Sequence, residues 1–259
     1  MSEIITIALD AMGGDDAPHI VVAGANIARR RHPDARFVLY GDEADLTARV
    51  AKQRGLSDFV EIRHAPEGVA ADAKPSQVVR SGQETSMWRA IAAVKEGQAD
   101  GVVSAGNTGA LLAMAMLVLR RLQGIDRPAI ASFFPTLRGE TVMLDLGANI
   151  RCNERNLVEF AIMGEVFART ILGIENPTVG LLNVGAEETK GNDALKDAAQ
   201  LLRDLDLPGE FVGFVEGDDI PAGAVDVVVT DGFTGNVALK TAEGTAKLIN
   251  AFVRETFRN

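Results

Sequence analysis

Five short apolar runs along the chain each end in a turn built from glycine, asparagine, threonine and acidic residues. The runs cover residues 5–9, 102–103, 142–144, 179–182 and 225–229. Short apolar runs bounded by turn residues are typical of buried strands. Because helical patterns alternate with these runs, the sequence predicts an α/β fold. If the strands lie parallel in one sheet, the turns meet at one edge and form one site.

The pattern also predicts how two other regions fold. Residues 129–134 and 141–146 are apolar runs joined by only six residues, 135–140, which favours an antiparallel pair over a further strand-helix-strand unit. Residues 77–96 keep a helical pattern after Pro75 and Ser76, so we expect one long helix there.

The turn that follows residues 102–103 is a candidate anion site. Gly106 and Gly109 allow the backbone to turn tightly and approach a ligand, and Asn107 and Thr108 offer donors where the next helix begins. Backbone N–H groups and the positive end of the helix dipole then point at one place. The alternative is an ordinary strand-to-helix turn, which a short glycine motif alone does not exclude.

The loop at residues 183–192 places Lys190 among acidic residues directly after a strand. Lys190 is either an ordinary exposed lysine or an ammonium directed at an anion bound at the strand ends. The order G-x-x-x-x-G-K-[ST] is absent from the chain, which argues against ATP and GTP. The pattern G-x-G-x-x-G with a trailing acidic residue is also absent, which argues against a dehydrogenase.

Composition narrows the function classes further. The 259 residues carry a formal net charge of −10, which argues against a broad surface for nucleic acid. The single cysteine, Cys152, excludes an intramolecular disulfide and a cysteine-based zinc cluster, and we expect it to be an inert thiol. We expect neither a metal nor a cofactor.

The distribution of apolar residues also bears on location. The first residues, MSEIITIALD, begin a strand almost at once and lack the basic region and apolar core of a signal peptide, which predicts a cytoplasmic protein. The longest apolar run, residues 110–119, is about half the ~20 residues that a membrane-spanning helix needs.

Seven motifs, in the same order and over nearly the whole chain, resemble those of the bacterial phosphate acyltransferase family, PlsX. They read ALDAMGGDDAP, VVSAGNTGALL, GIDRPA, LDLGAN, EFAIMG, LLNVGAEETKGN and VVTDGFTGNVALKTAEG. The resemblance implies a three-layer α/β/α Rossmann-like sandwich with a mostly parallel sheet, similar to the isocitrate and isopropylmalate dehydrogenases and the phosphotransacetylases. Residues 1–259 would then form a single catalytic domain, in one body or two lobes, without the C-terminal region that family members usually carry.

The resemblance implies that inorganic phosphate attacks the thioester of acyl-acyl carrier protein, giving acyl phosphate and free carrier protein for phospholipid synthesis. Because phosphate is itself the nucleophile, the protein has to position the substrates and stabilise charge. We assign Lys190 and Asn236 to catalysis. The residues assigned to phosphate or substrate binding are Asp10, Gly13, Gly14, Ser104, Gly106, Asn107, Thr108, Gly109, Asn149, Asp231, Thr234 and Gly235.

Three acidic residues at the turns, Asp10, Asp145 and Asp231, are expected to orient the backbone rather than act as bases, because a carboxylate beside phosphate repels it. The resemblance further implies a homodimer, peripheral contact with the membrane and a downstream glycerol-phosphate acyltransferase as partner. Two alternatives stay open at this stage. One is a phosphotransacetylase-like enzyme that uses an acyl-CoA, and the other is a non-catalytic scaffold that binds acyl carrier protein.

Overall fold

The computed structural model describes residues 4–258. The chain divides after Arg121 into two compact units, called unit 1 and unit 2 below. Residues 1–3, on which the prediction of a cytoplasmic location partly rests, lie outside the described residues. The expectation of a single catalytic domain stays a prediction.

Unit 1 contains a four-stranded parallel sheet with helices between its strands. Its elements are β1 (Ile5–Asp10), α1 (His19–Arg31), β2 (Ala35–Gly41), α2 (Glu43–Ala51), β3 (Val60–His64), α3 (Pro75–Ser81), α4 (Ser86–Lys95), β4 (Gly101–Ser104) and α5 (Thr108–Val118). The strand order is β3-β2-β1-β4. All three pairings are parallel, so the carboxyl ends of β1 and β4 are neighbours at one edge.

Helices cover both faces of the unit 1 sheet. Successive strand residues point in opposite directions, so each strand contributes side chains to both faces. On one face Leu9 of β1 packs with Val22 of α1 and Leu46 of α2. On the other face Ala8 of β1 packs with Ala90 of α4. One cluster fills the space between the sheet and the helices on each face, which gives the three α/β/α layers that were predicted.

Unit 2 contains a five-stranded mixed sheet. Its elements are β5 (Ala131–Thr136), β6 (Gly139–Leu144), α6 (Glu154–Phe167), β7 (Thr178–Leu182), α7 (Asp193–Asp204), β8 (Glu210–Val215), α8 (Asp219–Ala222), β9 (Val227–Val229) and α9 (Gly232–Thr256). The strand order is β5-β6-β9-β7-β8. The predicted antiparallel pair is confirmed as β5 and β6, and the other pairings are parallel.

Unit 2 has the same three layers. Leu144 of β6 packs on one face with Phe160 of α6 and Leu202 of α7. The neighbouring Met143 points to the other face, where it packs with Ile220 of α8. The predicted three-layer α/β/α architecture with mostly parallel strands is therefore confirmed in both units.

The five predicted strands do not share one sheet. The runs that end at Asp10 and Ser104 belong to unit 1, and the runs that end before Asp145, Asn183 and Thr230 belong to unit 2. The expectation of one common sheet edge was wrong because an apolar run shows that a strand is buried but carries no information about its neighbours. The five turns form two groups, each at the carboxyl edge of its own sheet.

The predicted helix over residues 77–96 is also interrupted. α3 ends at Ser81, one 3-10 turn covers Gly82–Glu84, and α4 begins at Ser86. A side chain at Gly82 would begin 2.6 Å from the Cε atom of Met114, so glycine there allows close packing against α5. Thr85 then caps α4 by accepting a hydrogen bond from the N–H of Trp88 at 3.3 Å.

Candidate functional site

The turns after β1 and β4 line a cavity of about 670 Å³ in unit 1. The lining comes from Met12, Gly14 and Asp15, from residues 69–71 and from residues 105–109. We call this space the unit 1 cavity. Of the predicted site residues it brings together Gly14, Gly106, Asn107, Thr108 and Gly109.

Glycines let the two turns pack directly against each other. A side chain at Gly13 would begin 3.0 Å from the backbone nitrogen of Gly106 and would collide with Oδ2 of Asp10. Gly14 has a φ of +104°, and a side chain there would begin 3.1 Å from the Cβ atom of Ala105. Space therefore favours glycine at position 13, and the positive φ favours glycine at position 14.

Asp10 lies beneath this contact and is 1% exposed. Its Oδ1 accepts a hydrogen bond from the hydroxyl of Ser86, and its Oδ2 accepts one from the hydroxyl of Ser104 at 2.7 Å. The Ser104 oxygen in turn accepts the N–H of Gly106 at 3.0 Å. Asp10 thus ties β1, α4 and the 105–109 turn together, which supports an orienting role.

Asn107 uses its whole side chain on the protein itself. Its Oδ1 caps α5 by accepting the N–H of Ala110 at 2.9 Å. Its Nδ2 donates to the carbonyl oxygens of Ala71 and Ala73, at 2.8 and 3.1 Å. The amide that was predicted to face a ligand therefore holds the 69–73 loop in place.

Donors toward an anion come instead from the start of α5. Among the described residues, no protein acceptor takes the N–H of Thr108, the N–H of Gly109 or the hydroxyl of Thr108. Thr108 and Gly109 are both exposed and both line the unit 1 cavity. The first N–H groups of a helix and its dipole stabilise negative charge, so this wall can bind a small anion such as phosphate.

In unit 2, Asp145 organises the turn after β6 and is fully buried. Its Oδ1 accepts the N–H groups of Ile130, Gly147 and Ala148 at 3.0 to 3.1 Å. Its Oδ2 accepts both the N–H and the side-chain amide of Asn149, at 2.7 and 2.8 Å. Five donors occupy both oxygens of this carboxylate, which supports the orienting role predicted for it.

The start of α9 packs on this turn and places Asn236 beside it. A side chain at Gly235 would collide with the carbonyl oxygen of Asp145, and the N–H of Gly232 donates to the carbonyl of Asn149 at 2.8 Å. Asn236, one residue later, is exposed, and its side-chain nitrogen lies 3.5 Å from the position of a Cβ atom built on Gly147. The amide of Asn236 is therefore available to a ligand above the turn.

Asp231 caps α9 and is occupied in doing so. Its two oxygens accept the N–H and the hydroxyl of Thr234, at 2.9 and 2.8 Å. Asp231 and Thr234 also line a second cavity, of about 450 Å³, together with Ile150, Arg151, Cys152, Asn192 and Phe233. Arg151 is exposed and gives this cavity a positive charge that the sequence analysis did not identify.

Cys152 is half-buried, and its thiol donates to the carbonyl oxygen of Asn149 at 3.6 Å. Burial, assisted by the negative charge of Asp145, raises the pKa of the Cys152 thiol to about 11. The thiolate is the nucleophilic form, so Cys152 is unreactive near neutral pH. This agrees with the inert thiol that was expected.

Lys190 lies in the loop after β7, and α9 follows β9, which is paired in parallel with β7. The two predicted catalytic residues therefore follow neighbouring strands at the same edge of the unit 2 sheet. Asn183 anchors the loop, because its side-chain nitrogen donates to the carbonyl of Lys190 at 3.3 Å. Lys190 is exposed, and within residues 4–258 its ammonium group has no hydrogen bond or ion pair.

The structure adds residues that sequence reasoning did not select. Ser86 contacts Asp10 although 76 positions separate them, and no local pattern indicates that pairing. Asn183 was visible only as the first residue after an apolar run. No group of three or more histidine, cysteine, aspartate or glutamate side chains suited to a metal ion occurs in the described part of the chain. No helix within residues 4–258 is long and apolar enough to cross a membrane.

Comparison with known proteins identifies the family of this chain. Residues 5–259 match the family described as "Fatty acid synthesis protein". The phosphate acyltransferase of Rhodospirillum rubrum is 62% identical over 99% of this chain and 74% of its own length. The phosphate acyltransferase of Paramagnetospirillum magneticum is 58% identical over 100% of this chain and 74% of its own length.

A solved structure supports the fold independently. The phosphotransacetylase from Staphylococcus aureus superimposes with a TM-score of 0.66 at 18% identity, over 94% of this chain and 82% of its own. Identity this low speaks for the fold alone. The relatives named above, each more than half identical to this chain over almost all of it, show that the chain belongs to the phosphate acyltransferase (PlsX) family of fatty acid synthesis proteins and is an acyltransferase.

Proposed function

We propose that the enzyme transfers an acyl group from acyl-acyl carrier protein to inorganic phosphate. The observation that carries this proposal is the wall of the unit 1 cavity, where the N–H groups of Thr108 and Gly109 have no acceptor among the described residues. A phosphate bound there accepts hydrogen bonds from these N–H groups at the positive end of the α5 dipole. A phosphate oxygen attacks the thioester carbonyl, and the tetrahedral oxyanion collapses with cleavage of the C–S bond. The carrier-protein thiolate leaves and takes up the proton that hydrogen phosphate loses, and acyl phosphate is the other product.

The chain needs no nucleophile of its own for this reaction, because phosphate supplies it. Cys152, the one sulfur nucleophile in the sequence, stays protonated near neutral pH. From the family resemblance we assign Lys190 and Asn236, which both follow strands of the unit 2 sheet, to the stabilisation of negative charge during acyl transfer. Each such donor is worth roughly 2.7 to 4 kcal/mol in a transition state.

Hydroxylamine trapping of acyl phosphate, with thiol release followed in parallel, tests the proposal. Purified protein is incubated with a long-chain acyl-acyl carrier protein, with and without phosphate, and the acyl-CoA of the same chain length serves as a second donor. We expect acyl phosphate and free thiol to form only when phosphate is present. We also expect faster turnover of the carrier-protein thioester than of the acyl-CoA. Faster turnover on acyl-CoA would favour a phosphotransacetylase-like enzyme instead.

Substitution of the two residues assigned to catalysis tests their roles. Lys190→Ala and Asn236→Ala are each expected to lower kcat about a hundredfold or more. Lys196→Ala, in α7, is the matched control for loss of a lysine and is expected to leave kcat unchanged. Full activity in both Lys190→Ala and Asn236→Ala would contradict the assigned roles.

The family resemblance extends the proposal to assembly and location. We propose that the enzyme is a cytoplasmic homodimer that contacts the membrane peripherally and passes acyl phosphate to a glycerol-phosphate acyltransferase. Analytical ultracentrifugation and flotation with liposomes test the first two points. A monomer at micromolar concentration that stays with the soluble fraction would contradict them.

A further inference from the structure

Ser86 lies outside the unit 1 cavity but donates hydrogen bonds to two residues, Glu67 and Asp10, that are close in sequence to segments lining it. It is the first residue of α4 and is completely buried. Its backbone N–H donates to the carbonyl of Glu67 at 2.8 Å, just before residues 69–71. Its hydroxyl donates to Oδ1 of Asp10, which lies beneath the 12–15 and 105–109 segments.

The connection from Ser86 to the anion wall passes through hydrogen bonds at both ends of one carboxylate. Ser86 fixes Oδ1 of Asp10, and Oδ2 receives the hydroxyl of Ser104 at 2.7 Å. That hydrogen bond orients the Ser104 oxygen to accept the N–H of Gly106 at 3.0 Å. Gly106 is two residues before Thr108, so this chain of hydrogen bonds runs from Ser86 to the turn that begins α5.

The close packing at Gly13 leaves the carboxylate little room to rotate. A Cβ atom built on Gly13 would already collide with Oδ2 of Asp10, so that oxygen is held against the first turn. Without the Ser86 hydroxyl, Oδ1 would be a buried acceptor with no donor, and the carboxylate could regain one only by turning away from Ser104. The hydrogen bond from the Gly106 N–H to the Ser104 oxygen would then lose its support.

We infer that Ser86 is a positioning residue for phosphate, acting through Asp10 and Ser104 on the N–H groups at the start of α5. This inference rests on the proposed function, because it assumes that phosphate binds in the unit 1 cavity. Ser86 itself does not line that cavity and is not expected to contact the substrate.

Direct binding of inorganic phosphate to the purified protein, measured by isothermal titration calorimetry, tests the inference. We expect Ser86→Ala to weaken phosphate binding about tenfold or more, as expected for loss of a hydrogen bond to a charged group. Ser86→Thr keeps the hydroxyl and should restore most of the affinity. Ser81→Ala removes an exposed hydroxyl that bonds only within α3, and it should bind phosphate like the unchanged protein.

A double-mutant cycle with Ser104→Ala separates positioning from a general loss of structure. Because both hydroxyls act through Asp10, the double variant should bind phosphate about as weakly as the weaker single variant. Additive losses would overturn the proposed pathway. If Ser86→Ala does not unfold cooperatively, Ser86→Cys replaces it, since a thiol fills similar space but is a weak donor and should also weaken binding.

The outcomes distinguish this inference from the proposed function. Equal phosphate affinity in the unchanged protein and a folded Ser86→Ala variant overturns the inference and leaves the function standing. Ser86-dependent phosphate binding without acyl phosphate formation supports the inference and contradicts acyl transfer to phosphate. Absence of phosphate binding to the unchanged protein overturns both.

Discussion

The carbonyl oxygen of Asp145 occupies the space where a side chain at Gly235 would begin. The first turn of α9 therefore rests directly on the backbone of the turn that follows β6. This contact decides where Asn236 lies, because Asn236 follows Gly235 on the same helical turn. It also makes the helix start sensitive to a single methyl group.

We predict that Gly235→Ala destabilises the protein by about 1 to 3 kcal/mol, because backbone must move to admit the methyl group. Urea unfolding followed by circular dichroism measures the change. Gly244→Ala, later in the same helix, is the matched control, since no atom lies within 4 Å of its built Cβ. The control should stabilise by about 0.5 to 1 kcal/mol, and equal stability of the two variants would contradict the predicted clash.

Asp145→Asn, an isosteric substitution, is predicted to destabilise the protein strongly. The carboxylate accepts five hydrogen bonds, and an amide NH₂ group would face some of those donors with another donor. Leaving a buried donor without an acceptor costs about 1 to 3 kcal/mol, so we expect a loss of at least about 3 kcal/mol. Asp197→Asn, on the exposed side of α7, should change the unfolding free energy by less than about 0.5 kcal/mol.

The two functions of Asn107 can be separated by Asn107→Asp. A carboxylate still caps α5, but it cannot donate to the carbonyl oxygens of Ala71 and Ala73. We expect faster hydrogen exchange and proteolysis in residues 69–74, with helix α5 intact. Weaker phosphate binding should follow, since residues 69–71 line the unit 1 cavity and the new carboxylate at position 107 repels phosphate.

Asn192→Asp provides the control for this experiment. Asn192 caps α7 through the same acceptor geometry, and among the described residues its amide nitrogen makes no hydrogen bond. Acid at a helix N-terminus is favourable, so the control should be neutral or stabilise by about 0.3 to 1 kcal/mol. Unchanged protection of residues 69–74 in Asn107→Asp would show that the two carbonyl contacts do not hold the loop.

Cys152 is predicted to react slowly with alkylating reagents. Its pKa is raised from 9.0 to about 11, so at pH 8 the thiolate fraction is roughly a hundredfold lower than for an unperturbed thiol. The rate of labelling by iodoacetamide, compared between the native protein and the protein in urea, measures this difference. Equal rates in the two states would be inconsistent with the raised pKa.

The same shift predicts a pH dependence of stability with a definite sign. Because the pKa of Cys152 is higher in the folded protein than in the unfolded chain, the stabilisation is complete below about pH 9 and declines as pH rises toward 11. Cys152→Ser has no group that titrates in this range. The unfolding free energy of the unsubstituted protein should therefore fall, relative to that of Cys152→Ser, as the pH rises from 9 to 11.

The family and the order of strands and helices were determined by the sequence, because they depend on local patterns. Apolar runs predicted the buried strands, and β5 and β6 were predicted as an antiparallel pair because only a short segment joins them. The glycines at 13, 14 and 235 were selected at turns, and each is required there by space or by a positive φ. The seven motifs indicated the family without reference to any contact.

Tertiary structure decided which turns belong together and which polar groups are free. The five strand ends divide between two sheets, since a run of valines and leucines carries no information about its partner strand. Ser86 reaches Asp10 across 76 positions, and Asn107 donates to two carbonyls of a distant loop. These hydrogen bonds occupy side chains, such as that of Asn107, that the sequence analysis predicted would bind a ligand. The backbone N–H groups of Thr108 and Gly109, and the ammonium of Lys190, are among the donors that have no protein partner within residues 4–258.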